Sequence, residues 1–147
     1  MKQIFRHLII IAACSVALPL TAQEFRAINS LYVNRVDKNV IEVIGRPGAH
    51  KEDYWCGVGD YVRRVVRAPW KTKIYVVSGI GRGVTTGARD AVRFTMSPDA
   101  IGIEPYESNL ILDVLTVGYS RSLTYAFDMC HRRPGFFHSG FGIGIGF

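Results

Sequence analysis

"DYWCGVGDYVRRVV", residues 53–66, has the apolar spacing of a helix, and its reading decides what the rest of the chain must be. At about 100° per residue, Tyr54, Trp55, Val58, Tyr61, Val62, Val65 and Val66 fill one broad arc, with Gly59 inside it. Glu52 and Asp53 stand in the first turn and Arg63, Arg64 and Arg67 in the last, which suits the helix dipole, and Pro69 follows as a stop. Cys56 falls just outside the arc, on the flank shared with Asp60, Arg63 and Arg67. A cysteine placed there reaches sideways to a neighbouring strand or loop rather than into the core.

A helix with one wide apolar face needs a second layer, and the flanking segments read as strands. "LYVNRV" (31–36) and "VIEVIG" (40–45) enclose the polar turn "DKN" and predict a hairpin. "KIYVVSG" (73–79) follows the helix, and in "AVRFTM" (91–96) Val92, Phe94 and Met96 alternate with Arg93 and Thr95. "LILDVLTV" (110–117) and "SLTYAFDMC" (122–130) flank "GYSR" as a second hairpin, with Leu123, Tyr125, Phe127 and Met129 sharing a face and Cys130 opposite. The expectation is an α+β fold: an antiparallel sheet of five to six strands with one main helix packed on one face.

The N-terminus assigns a compartment. Lys2, Arg6 and His7 precede an almost charge-free apolar run from Leu8 to Ala22, the layout of a signal peptide and too short for a membrane span. The division is therefore a signal peptide over 1–22 and a single α+β domain over 23–147 with a glycine-rich C-terminal tail. The product is periplasmic or secreted, with no transmembrane segment in the mature chain. In an alternative reading, "IAAC" is a lipoprotein box and Cys14 anchors the product to the membrane, but the apolar run before it is short. Without Lys2 and Arg6 the net charge falls from +6 to about +4, mild basicity that does not suggest nucleic acid as a partner.

Once Cys14 leaves with the leader, Cys56 and Cys130 remain in an oxidising compartment, and a disulfide between them is expected. A reactive thiol is disfavoured because Asp60, one turn on from Cys56, is an acid. No metal or cofactor site is expected, since His50, His131 and His138 form no close pair with ligand spacing.

Three stretches invite functional readings. "SGIGRGVTTGARDA" resembles a phosphate-cradling loop, but Val84 stands where a dinucleotide loop needs glycine, and a strand rather than a helix follows. It reads as a hairpin loop whose Arg82 and Arg89 are free to touch an anion. "GFFHSGFGIGIGF" ends like an outer-membrane barrel strand, yet the chain has too few such strands, so an extension or an edge strand is favoured. The basic strip of Arg63, Arg64, Arg67, Lys71 and Lys73 is either helix-end electrostatics or an anion-contact surface for an anionic envelope polymer or an acidic protein. No arrangement of residues marks a catalytic centre. A non-catalytic binding module of the bacterial envelope is thus favoured over a small periplasmic enzyme acting on an envelope substrate, and no oligomeric state is implied.

"EVIGRPG", "DYWCGVGDYVRRV", "APW", "IYVV" and "GVTTGARDAVRFTM", taken in this order over roughly residues 30 to 100, resemble a group of small secreted bacterial proteins with no assigned activity. The resemblance implies export and transfers no functional residue.

Overall fold

The structure, a computed structural model, describes residues 24–106 and 114–132; the expected signal peptide, the start of the 110–117 segment and the glycine-rich C-terminal stretch lie outside them. Where apolar and polar residues alternate, the chain pairs into one sheet. Its strands are β1 (Phe25–Arg26), β2 (Tyr32–Arg35), β3 (Val40–Ile44), β4 (Lys73–Gly81), β5 (Ala91–Thr95) and β6 (Ser120–Ser122). They lie in the order β1-β2-β3-β5-β4-β6, and every neighbouring pair is antiparallel. The expected α+β arrangement is therefore present, with six strands. The β2–β3 hairpin closes as "DKN" predicts, because Asp37 Oδ1 accepts from the amides of Asn39 at 2.6 Å and Val40 at 2.9 Å.

Helix α1 (Lys51–Tyr61) continues as a wider π-helical turn (Val62–Val66), and Arg67 ends it in the left-handed region at φ 59°. At its start the His50 amide donates to Asp53 Oδ2 at 2.8 Å. Tyr54, Trp55, Val58, Tyr61 and Val62 are buried on the sheet face built by Val33, Ile41, Val43, Ile74, Val76, Val92 and Phe94. Val65 and Val66, expected on the same arc, are exposed at 49% and 40% and border a recess with Arg35, Lys38 and Ile41.

The two glycines in the apolar run are contact points. A Cβ on Gly57 would stand 2.8 Å from Val43 Cγ1, so its absence lets α1 ride low on β3. A Cβ on Gly59 would stand 2.7 Å from backbone atoms of Ala126 and Phe127. Backbone cannot swing aside as a side-chain tip can, so Gly59→Ala must push two segments apart. We expect it to cost about 1–3 kcal/mol even though alanine is the better helix former. Urea unfolding checks this, and a variant as stable as the parent would refute the close approach.

Those segments are where the sequence reading needs correction. "SLTYAFDMC" is not a strand: only Ser120–Ser122 pair with β4, and Leu123–Asp128 form helix α2. Val114–Val117 are likewise turn rather than strand. Ser122 Oγ caps α2 by accepting from the Tyr125 amide at 3.2 Å, and the unpaired amides of Leu123 and Thr124 donate to the carbonyls of Thr72 and Trp70. Leu123, Ala126 and Met129, three residues apart, are buried. A helical spacing therefore wins over the two-residue alternation that the same letters also permit. Cys130 follows in the turn after α2, bonded to Cys56 with Cα atoms 4.7 Å apart. The disulfide ties helix to helix rather than α1 to the sheet.

Candidate functional site

Next to the α1–α2 contact lies a surface groove of about 350 Å³, lined by Trp70, Thr124, Phe127, Asp128 and His131. Trp70 is the exposed tryptophan, 44% accessible, whereas Trp55 is in the core. The backbone under the indole is pinned: the Trp70 carbonyl accepts from both the amide and the hydroxyl of Thr124 at 3.1 Å, and the Thr72 amide donates to the Pro69 carbonyl at 2.9 Å. Phe127 meets the indole edge-on at 5.7 Å between ring centroids, and His131 meets Phe127 at 5.4 Å. The Arg63 guanidinium lies 4.6 Å from the indole centroid. Asp128 is engaged by Arg132 Nε at 2.9 Å, so the carboxylate at the groove edge already has a cation.

The basic strip is not one surface. Arg63 stacks on Trp70, and Arg67 and Lys71 are exposed within three residues of it. Among the described residues none of these three has a carboxylate at salt-bridge distance. Arg64 turns the other way. It donates to Asp60 Oδ2 at 2.8 Å and lies over the Phe25 ring at 4.7 Å. Asp60 is buried and also accepts from the Ile28 amide at 2.8 Å, so Arg64 serves the fold by compensating an internal charge. Lys73 points to the sheet face opposite α1 and lines a separate groove of about 550 Å³ with Tyr75, Pro98, Asp99 and Pro105.

The glycine loop does cradle an anion, but an internal one. Glu42, mid-strand in β3 and wholly buried, accepts from the amides of Val84 at 2.7 Å and Thr85 at 2.9 Å, and from the Thr85 hydroxyl. Asn34 Nδ2 donates to that hydroxyl at 3.1 Å. Gly87, at φ +70°, turns the loop back so that its amide reaches the Gly83 carbonyl. In register, Asn34, Glu42, Arg93 and Ser78 form a polar row across four strands on the face away from α1, with Arg93 Nε donating to Ser78 Oγ at 3.0 Å.

Burial raises the Tyr54 phenol above its ordinary value, with the charges of Asp90 and Asp53 adding to the effect, and burial also raises Tyr119. Neither tyrosine lines either groove. Among the described residues no group of three or more His, Cys, Asp or Glu side chains is placed to hold a metal, and no helix is long and apolar enough to cross a membrane.

No family model matches the chain, no curated protein matches its sequence, and no solved structure matches its fold. The site therefore has to be read from its own geometry. Trp70, Phe127 and His131 were absent from the sequence-derived candidates. A signal was available for Trp70 alone: "RAPWKTK" places an aromatic after a proline and between cations.

Proposed function

We propose that the chain is exported and serves as a non-catalytic binding module of the bacterial envelope, with an anionic polymer held at the Arg63, Arg67 and Lys71 end of α1. The reading is carried by one observation: three exposed cations lack carboxylate partners among the described residues, one of them, Arg63, stacked on the exposed Trp70 indole and the other two, Arg67 and Lys71, within three residues of that tryptophan in the chain. Arg64, by contrast, is taken up by the fold through buried Asp60. The disulfide and the charge-poor stretch from Leu8 to Ala22 support passage into an oxidising compartment.

Charge reversal tests this. The triple variant R63E/R67E/K71E is expected to bind polyphosphate about tenfold more weakly or worse than the parent at low salt, and the parent's own binding should fade by about 0.5 M salt. Titration calorimetry reads both effects, and unchanged affinity in the variant would reject the surface. Arg64 is left intact, because Arg64→Glu would place a second carboxylate beside buried Asp60 and confuse folding with binding.

A further inference from the structure

We infer that the polymer is an acidic polysaccharide, and that the groove of Trp70, Thr124, Phe127 and His131 is the subsite for one of its sugar rings. This rests on the basic-surface reading above and adds to it the identity of the ligand's backbone.

The groove combines two chemistries that a uronate-type sugar also combines. A pyranose ring has a face of C–H bonds and an edge of hydroxyls, and an acidic one adds a carboxylate. Trp70 leaves a large apolar surface uncovered at a place where burying it would have stabilised the fold. Phe127 stands edge-on beside it, so the two rings make a corner rather than a flat patch. Thr124, His131 and Asp128 supply polar atoms along the rim, with Arg132 already holding the Asp128 carboxylate, and the Arg63 guanidinium, 4.6 Å from the indole centroid, puts a cation beside the aromatic corner for the acid group of the sugar.

The other polyanions use less of this site. A phosphate polymer needs only the cations and leaves both rings bare. An acidic polypeptide presents flexible carboxylates with no flat apolar face to cover an indole. The site is also preorganised: hydrogen bonds fix Trp70 to the start of α2, and the disulfide fixes α2 to the helix that carries Arg63.

The two tryptophans make the test direct, because Trp55 is buried and acrylamide quenching of the full oxidised chain therefore reports chiefly on Trp70. The probes are oligogalacturonate, polyphosphate and polyglutamate of matched charge. Saturating oligogalacturonate is expected to shield the indole from the quencher, and polyphosphate is expected to bind without shielding it. Trp70→Ala is expected to weaken oligogalacturonate about tenfold and polyphosphate by less than about twofold, the difference being one stacking contact. An indole that stays quenchable under saturating oligogalacturonate overturns the sugar subsite and leaves the basic surface standing. So does equal oligogalacturonate affinity in parent and variant. Polyglutamate that binds more tightly and shields Trp70 overturns the polysaccharide in favour of an acidic protein. Failure of all three probes to bind removes both readings. The quenching arm uses the unaltered protein, so the outcome does not depend on how the variant folds.

Discussion

Replacing Cys56 and Cys130 together by alanine is expected to lower the stability of the oxidised domain by about 4 kcal/mol, with the structured state otherwise retained. The bond joins residues 74 apart, and in the chain-entropy description most of its effect falls on the unfolded chain, which loses the freedom of a long loop. That is a large share of the net stability of about 5–15 kcal/mol usual for a domain of this size. A second effect is local to α2. Six residues cannot hold a helix in water alone, so α2 persists by packing Leu123, Ala126 and Met129 on α1 and by the covalent tie at its end. Alanine suits the test because Cys56 is buried and a serine hydroxyl there would need a partner. Denaturant unfolding of the oxidised parent, the reduced parent and the double variant should show the last two nearly coincident and both far below the first. A double variant within about 1 kcal/mol of the oxidised parent would show that the bond constrains little. The same comparison bears on binding, because α2 carries Phe127 and the turn after it carries His131. Loosening α2 should blunt the Trp70 groove before the domain unfolds.

How far the fold was legible follows from how local its causes are. The β2–β3 hairpin depends on Asp37 gripping the amides of Asn39 and Val40, and α1 with its π-helical continuation has apolar residues at helical spacing, acid in its first turn and arginines in its last; both are written within short stretches of chain. The disulfide needed only a count and a compartment. The 122–130 segment was misread because Leu123, Tyr125, Phe127 and Met129 alternate as well as Leu123, Ala126 and Met129 step, and nine residues are too few for one period to exclude the other. The deciding contacts come from Thr72, Trp70 and Gly59, far off in sequence. Cys56 illustrates the same limit: spacing put it outside the apolar arc and away from the core, yet it is buried in the core, because α2 rather than a strand covers that flank. Of the five basic residues the strip named, local spacing could not say that Arg64 would be claimed by Asp60 or that Lys73 would face another groove. Strand alternation decides the direction of Lys73, whereas the direction of Arg64 depends on β1, a two-residue strand with no signal of its own.

Glu42 was the least legible residue, and its substitution should produce the other large effect. In "VIEVIG" an acid between apolar residues marks the wet side of an alternating strand, yet nothing in the strand announces that a loop some 40 residues on will close over it. Once covered, the carboxylate satisfies the Val84 and Thr85 amides and the Thr85 hydroxyl, and each hydrogen bond to a charged acceptor contributes about 1.5–3 kcal/mol. Not all of that is lost on substitution, since Val84 and Thr85 are exposed residues whose amides regain water when the loop lifts. We therefore expect Glu42→Ala to cost about 3 kcal/mol and Glu42→Gln about half as much. Glutamine keeps one accepting oxygen but turns an NH2 group toward a donor. Hydrogen exchange separates this account from a general weakening: in Glu42→Gln the amides of Val84 and Thr85 should lose protection while the core strand β5 keeps most of its own. Equal loss across the sheet, or Val84 and Thr85 amides as protected as in the parent, would mean that the loop is held by something other than the carboxylate. The loop also carries the exposed Arg82 and Arg89, so the carboxylate that pins it also holds the backbone from which two cations project. If polyphosphate binding in Glu42→Gln matches the parent, the ligand does not need the loop held in place, as expected where the basic surface lies at the end of α1.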